Sequence, residues 1–251
     1  MWALKLSVLA GSLGICALIW ATARRLGLAP LPALALYGLN PAVLVYALGG
    51  AHNDVLMMLP LMAGIYLVVA GRDRVGPAVA ALAVGVKASA GLAMPFVILG
   101  ARRRLDALGA AIATGVLLVA VAFVAFGTQA ADFINVLGTQ QRLDSGTSVI
   151  AQLGSWFGWT GNPTGAREVA SVLFGLLLVY LIARAWRRPR DWLECAGWST
   201  VALMVSTSWL LAWYIVWLVP LAALSRTRWL QAAAVGMTVF VVAVRAVPIL
   251  D

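Results

Sequence analysis

The chain is a succession of long apolar runs separated by short clusters of arginine. A run of about twenty apolar residues is long enough to cross a ~30 Å hydrocarbon core as a helix. The pattern therefore predicts an all-α fold, a polytopic transmembrane helix bundle that forms a single domain over residues 1–251. About eight full spans are expected, at residues 2–23, 30–48, 55–69, 105–126, 168–186, 192–205, 210–224 and 229–247.

Composition agrees with a membrane protein. Hydrophobic residues make up 63% of the chain, charged residues 11%, and the mean hydropathy is +0.96. The net charge of +9 comes from arginines between the apolar runs, as in cytoplasmic loops under the positive-inside rule. No nucleic-acid partner is therefore expected. Cys16 and Cys195 lie in predicted spans as packing residues, and no metal site is expected.

Residues 77–100 do not fit a simple crossing. Arginines precede the run at 72–74 and follow it at 102–104, so a full crossing would leave one basic cluster outside. We predict a re-entrant pair of half-helices with Lys87 near its tip, roughly halfway through the membrane. A lysine at that depth marks a site with an anionic partner, or is the counter-ion of a buried carboxylate or of helix carbonyls.

Polar residues interrupt the apolar pattern most sharply at residues 49–54. The only histidine, His52, stands beside Asn53 and Asp54 at the junction of two apolar runs. We interpret this cluster as the rim of a membrane-embedded site, and the alternative is that Asn53 or Asp54 only caps the next helix. Upstream, Asn40-Pro41 predicts a kink in the second span, because proline lacks a backbone N–H donor.

Residues 127–166 form a long extracytoplasmic loop in this topology. Their apolar spacing predicts interfacial helices at 132–137 and 149–157. The polar segment between them, which includes Arg142, suits a sugar or lipid headgroup, or is an ordinary solvated loop. Trp213, Tyr214 and Trp217 are candidates for stacking on a sugar, or for anchors in the interfacial aromatic belt.

Several of these blocks together resemble a known family. They are Asn40-Pro41, the segment 50–54, Val86-Lys87-Ala88 with Met94-Pro95-Phe96, and Trp213-Tyr214 ahead of Leu218-Val219-Pro220. In combination they resemble the GT-C glycosyltransferases, and among them the actinobacterial polyprenyl-phosphomannose-dependent α-mannosyltransferases. The resemblance implies a GT-C-like bundle in the cell membrane, with its active site facing outside.

The same resemblance implies the partners and the reaction. A polyprenyl phosphate carrier would donate mannose to a glycan or glycolipid acceptor, without a cofactor beyond the lipid-linked sugar. Such enzymes take a catalytic carboxylate from the first outer loop, which has no counterpart in this sequence. Either Asp54 replaces that carboxylate, or the sequence is an N-terminally truncated homologue.

The chemistry also follows from the residues. Displacement of a lipid phosphate at an anomeric carbon needs a base for the incoming hydroxyl and donors for the departing phosphate. Asp54 or His52 is the candidate base, and Asn53 would orient a sugar hydroxyl. Lys87, with the N-terminus of the third helix, would offset the phosphate charge. The alternatives are a lipid or polysaccharide transporter or flippase, and a non-catalytic subunit of an envelope-glycan complex.

Overall fold

The structure is a computed structural model that describes residues 2–132, 135, 139 and 143–246. Within these residues all regular structure is helical, which confirms the all-α prediction. The α-helices are α1 Trp2–Arg25, α2 Pro30–Gly38, α3 Asp54–Val69, α4 Val75–Val86, α5 Met94–Gly100, α6 Arg104–Phe126, α7 Val149–Ser155, α8 Thr164–Arg187, α9 Trp192–Ser206, α10 Ile215–Ala223 and α11 Arg228–Ala246.

Four helical stretches in the described part of the chain are long and apolar enough to cross a membrane. They are Trp2–Arg25, Arg104–Asp132, Thr164–Arg187 and Arg228–Arg245. The remaining apolar runs form shorter or interrupted helices, of which α3 is 16 residues long. The prediction of about eight full spans is therefore not confirmed. A single apolar run does not reveal whether its helix continues to the end, because local breaks depend on tertiary contacts.

The predicted kink at Asn40-Pro41 is confirmed. Helix α2 ends at Gly38, and a π-helix, Val43–Leu48, continues the run. Asn40 Oδ1 accepts hydrogen bonds from the backbone N–H groups of Ala42 and Val43, and its Nδ2 donates to Thr238 on α11 at 2.9 Å. The asparagine thus satisfies the backbone at the break and attaches it to a distant helix.

The run around Lys87 is also broken, and it folds back on itself. Helix α4 ends at Val86, Lys87 is extended (φ −157°, ψ 126°), and a 3₁₀ helix, Ala88–Ala93, leads into α5. The Asp73 carboxylate, just before α4, accepts hydrogen bonds from the backbone N–H groups of Arg102 and Arg103 at 3.1 and 3.2 Å. Both ends of the segment therefore meet, as predicted for paired half-helices.

The arginine clusters converge at one end of the bundle, which we call the basic end. Arg226 donates to the Leu26 carbonyl at 2.6 Å, which joins the 24–28 turn to the 225–228 turn. Arg25 contacts Tyr66 near the end of α3, and Arg104 contacts the Trp186 carbonyl near the end of α8. Lys87 and the start of α3 consequently lie at the opposite end, which we call the site end.

Helices α3 and α4 pack with their backbones almost in contact. A Cβ atom at Gly64 would lie 2.6 Å from the Gly76 carbonyl oxygen and 2.6 Å from the Ala80 Cβ. Gly76 in turn lies against the backbone of α3. Small residues permit this approach, as is common between membrane helices. The close packing brings the end of α4 and the start of α3 to the same height.

Residues 143–148, in the predicted long loop, are hydrogen-bonded to the connection between α9 and α10. Ser208 Oγ donates to the Leu143 carbonyl, and Thr147 Oγ1 donates to the Leu210 carbonyl, both at 2.9 Å. Ser148 caps α7, which lies within the predicted helix 149–157. The other predicted interfacial helix, 132–137, falls largely outside the described residues. Trp156, just after α7, is 80% exposed.

Candidate active site

A buried ion pair forms the centre of the site end. Lys87 Nζ lies 2.7 Å from Asp54 Oδ1, and the same oxygen accepts a hydrogen bond of 2.7 Å from Trp217 Nε1. Asp54 is 1% exposed, and its other oxygen, Oδ2, has no hydrogen-bond partner among the described residues. One carboxylate oxygen is thus fixed by two donors, while the second is left to accept a proton or a hydrogen bond.

Local sequence explains why these groups meet. Asp54 is the first residue of α3, where the helix dipole favours a negative charge. Lys87 follows the last residue of α4, and the extended backbone there turns the chain out of the helix. The antiparallel packing of α3 and α4 then brings the carboxylate and the ammonium together. A buried charge is expensive to desolvate, so its pairing is a requirement of this fold.

Aromatic rings enclose the ammonium group. Lys87 Nζ lies 4.8 Å from the centroid of the Tyr214 ring and 5.0 Å from that of Trp217. The two rings stack on each other with centroids 4.0 Å apart. Cation–π contacts of this kind stabilise a partly desolvated cation. Lys87 is therefore positioned by one carboxylate and two ring faces.

A second aromatic stack lies beside this cluster, because Trp213 contacts Tyr214 edge-on. The His52 ring lies on Trp213, with centroids 3.6 Å apart and planes 13° apart. A Cβ atom at Gly50 would come within 2.7 Å of the His52 ring, so a glycine at residue 50 is what leaves room for the ring where it lies. Between them, Ala51 adopts the left-handed conformation (φ 52°), which is unfavourable for a residue with a Cβ.

The environment of His52 disfavours its charged form. Desolvation lowers its pKa from the usual value of 6.5; Asp54 opposes this effect and Lys87 adds to it. His52 lies in the turn before α3, and at neutral pH it is an uncharged imidazole. A neutral imidazole can accept a proton or donate a hydrogen bond.

Arg245, near the end of α11, also belongs to the site end. Its guanidinium carbon lies 6.0 Å from the centroid of Trp213, on which His52 stacks. Its Nε is buried and has no hydrogen-bond partner among the described residues. The sequence pattern did not single out this residue. The available signal was a lone arginine at the end of a span whose other end carries the basic cluster.

The structure brings most of the predicted site residues together. His52, Asp54, Lys87, Trp213 and Tyr214 form one contiguous cluster. For Lys87, the counter-ion alternative describes the contact that exists, and its role toward a substrate stays a prediction.

The remaining predicted residues have different outcomes. Asn53 is exposed, and it holds the N-cap position of α3 without a side-chain capping bond. Asp54 directs its carboxylate to Lys87 and Trp217. Arg142 lies outside the described residues. The aromatic-belt interpretation is wrong for Trp217, which is 8% exposed and bonded to Asp54. In the described part of the chain, no three His, Cys, Asp or Glu side chains are grouped as metal ligands.

Comparison with known proteins identifies relatives of this chain. Residues 1–103 match the family model described as "Alpha-(1->6)-mannopyranosyltransferase, N-terminal domain". Residues 1–103 are therefore similar to the N-terminal domain of this mannosyltransferase family. The matched part contains Asp54, Lys87 and His52, whereas Trp213 and Trp217 lie beyond it.

Two curated mannosyltransferases are similar to the chain. Alpha-(1->6)-mannopyranosyltransferase A of Mycobacterium tuberculosis is 30% identical over 264 residues, which cover 92% of this chain and 50% of that protein. Its namesake in Corynebacterium glutamicum is 37% identical over 76 residues, or 30% of this chain and 16% of that protein. The chain thus spans about half the length of the mycobacterial relative. No solved structure matches. These matches confirm the resemblance to actinobacterial mannosyltransferases.

Proposed function

We propose that the site end is the mannosyl-transfer site of a membrane α-(1→6)-mannopyranosyltransferase. The donor is mannose on a polyprenyl phosphate carrier, and the acceptor is a hydroxyl of a cell-envelope glycan or glycolipid. The observation that carries this proposal is the Asp54 carboxylate, which is buried and fixed through one oxygen while the other has no described partner. The names of the two relatives supply the sugar and the linkage.

The proposed orientation follows from the distribution of charge. Arginines gather at the basic end, and such residues favour the cytoplasmic side. The site end then faces outside, where lipid-linked sugars would be used. In this arrangement α4 and α5 are half-helices that enter from the cytoplasm without crossing, and the shorter helices complete a GT-C-like, multi-pass bundle.

In the proposed reaction, the oxygen of the acceptor hydroxyl attacks the anomeric carbon of mannose. The bond between that carbon and the phosphate oxygen breaks, and its electron pair leaves with the phosphate. Asp54 Oδ2 accepts the hydroxyl proton, because Oδ1 is occupied by Lys87 and Trp217. His52 is the alternative base, since its imidazole is neutral at pH 7.

We assign the departing phosphate to Arg245. Lys87 is held by Asp54 and by two aromatic rings, so its charge is already compensated. Arg245 has a buried Nε without a described partner and lies beside the His52–Trp213 stack. A guanidinium suits phosphate because it donates several hydrogen bonds in one plane. The half-buried rings of the stack then offer a surface for the sugar, with the exposed Asn53 next to His52 in the chain.

The test is radiolabelled mannosyl transfer by membranes that contain the full chain, with polyprenyl-phosphomannose as donor. Asp54→Asn should lower transfer by about a hundredfold or more, as expected for loss of a general base. Asp191→Asn, which alters a partly exposed ion pair with Arg184 away from the site end, is the matched control and should retain activity. Full activity of Asp54→Asn would reject Asp54 as the base.

A further inference from the structure

The basic end contains a cavity that the proposed transfer reaction does not use. It has a volume of about 620 Å³ and is lined by residues 100–106 together with Pro189. Three consecutive arginines, Arg102, Arg103 and Arg104, contribute to the wall, and Asp106 is its one acidic residue. The lining therefore carries an excess of positive charge.

The arginines of this wall differ in how they are engaged. Arg103 Nε forms an ion pair of 2.8 Å with Asp106, and Arg74 Nε forms a second ion pair with the same carboxylate at 3.3 Å. Arg104 donates to the Trp186 carbonyl and lies over the Trp186 ring. Arg102 is exposed, and within the described residues its side chain has no ion pair or hydrogen bond; only its backbone N–H is held, by Asp73. Its guanidinium is free to bind an anion.

Helix α6 adds a second feature to the cavity. It begins at Arg104, so the positive end of its dipole points at the arginine wall. From the cavity, the same 23-residue helix leads away with an apolar surface that few other residues cover. Leu105, in the cavity wall, is 84% exposed, and Leu108, Ile112 and Val116 continue the uncovered surface.

From this continuity we propose that the cavity binds the headgroup of an anionic phospholipid, with its acyl chains along α6. A phosphate would contact Arg102 and the start of α6, and the hydrocarbon would cover the apolar helix face. Basic pockets at the cytoplasmic ends of membrane helices suit such headgroups. A soluble phosphate would gain the charge contacts alone, whereas the apolar continuation favours a lipid.

The experiment is native mass spectrometry of the full chain, purified with equal amounts of phosphatidylglycerol and phosphatidylcholine. We expect preferential retention of phosphatidylglycerol. Arg102→Gln should weaken that retention by about fivefold, and Arg102→Lys should largely preserve it, because it keeps the charge. Arg72→Gln is the matched control, since Arg72 is exposed near the same end but does not line the cavity.

Two outcomes would overturn the proposal. Equal weakening by Arg72→Gln and Arg102→Gln would mean that the surface charge attracts lipid diffusely, without a site. Displacement of phosphatidylglycerol by millimolar inorganic phosphate would mean that the cavity binds soluble anions. Melting temperatures of the two glutamine variants, measured in parallel, would separate loss of binding from loss of the fold.

Discussion

Replacement of Asp54 by asparagine should affect stability as well as transfer, because the carboxylate is the counter-ion of Lys87. Removal of one partner from a buried ion pair typically costs about 3–5 kcal/mol. Here the Lys87 side chain is 24% exposed and lies over two aromatic rings, which retain part of its stabilisation. We therefore expect Asp54→Asn to lower the free energy of unfolding by about 2 kcal/mol.

A double variant separates the structural role of Asp54 from its chemical role. Asp54→Asn with Lys87→Met removes both charges and replaces the lysine stem with an apolar chain of similar length. Its stability should recover most of the loss, because no uncompensated charge remains. Its mannosyl transfer should nevertheless stay about a hundredfold or more below wild type, since asparagine cannot accept the proton.

Two assays on the same preparations decide between the roles. Thermal unfolding in detergent reports the stability, and radiolabelled transfer from polyprenyl-phosphomannose in membranes reports the chemistry. If the double variant regained both stability and transfer, Asp54 would be only a counter-ion, and its assignment as the base would be refuted.

Three further predictions concern the surroundings of the ion pair. Gly50→Ala should displace the His52 ring from Trp213 and so reduce transfer, because the new Cβ would lie 2.7 Å from the His52 ring. The ultraviolet absorption of the purified protein reports the change around Trp213, and the transfer assay reports the activity. Gly64→Ala should destabilise the fold by roughly 1–3 kcal/mol through overpacking, while Gly115→Ala, which meets nothing within 4 Å, should be neutral or slightly stabilising in thermal unfolding. The pKa of His52 is lower in the folded protein than in the unfolded chain, so the unfolded chain takes up a proton at a higher pH. The free energy of unfolding should therefore fall as the pH drops below about 6.5, and His52→Gln should remove this pH dependence.

The sequence pattern predicts the helical class and the residues that carry charge into the apolar region. Asn40-Pro41 indicates the break after α2, because proline cannot donate a backbone hydrogen bond. Lys87 indicates a site because a charge at that depth needs a partner. Arginines on both flanks of the run predict that its ends meet, and the Asp73 contacts bring them together.

Other features depend on contacts between distant parts of the chain. Asp54 and Trp217 are separated by 163 positions, and no local pattern connects them. Trp217 shares a helix face with Trp213 in the outer half of a predicted span, and this made it resemble an interfacial anchor. Arg245 was missed for the same reason, since its neighbour Trp213 comes from another helix. Helix lengths within an apolar run also escape prediction, because hydropathy does not report where tertiary contacts interrupt the backbone hydrogen bonds.

The position of the bound donor tests directly whether the Asp54 cluster is the transfer site. A polyprenyl-phosphomannose analogue with a diazirine on the sugar would be crosslinked to the full chain in membranes, and the adducts mapped by peptide mass spectrometry. We expect adducts in the peptides that contain His52 and Trp213, whose rings stack at the site end, and competition by unlabelled donor. Adducts confined to the basic end, or unaffected by competing donor, would contradict the assignment of the Asp54 cluster as the transfer site.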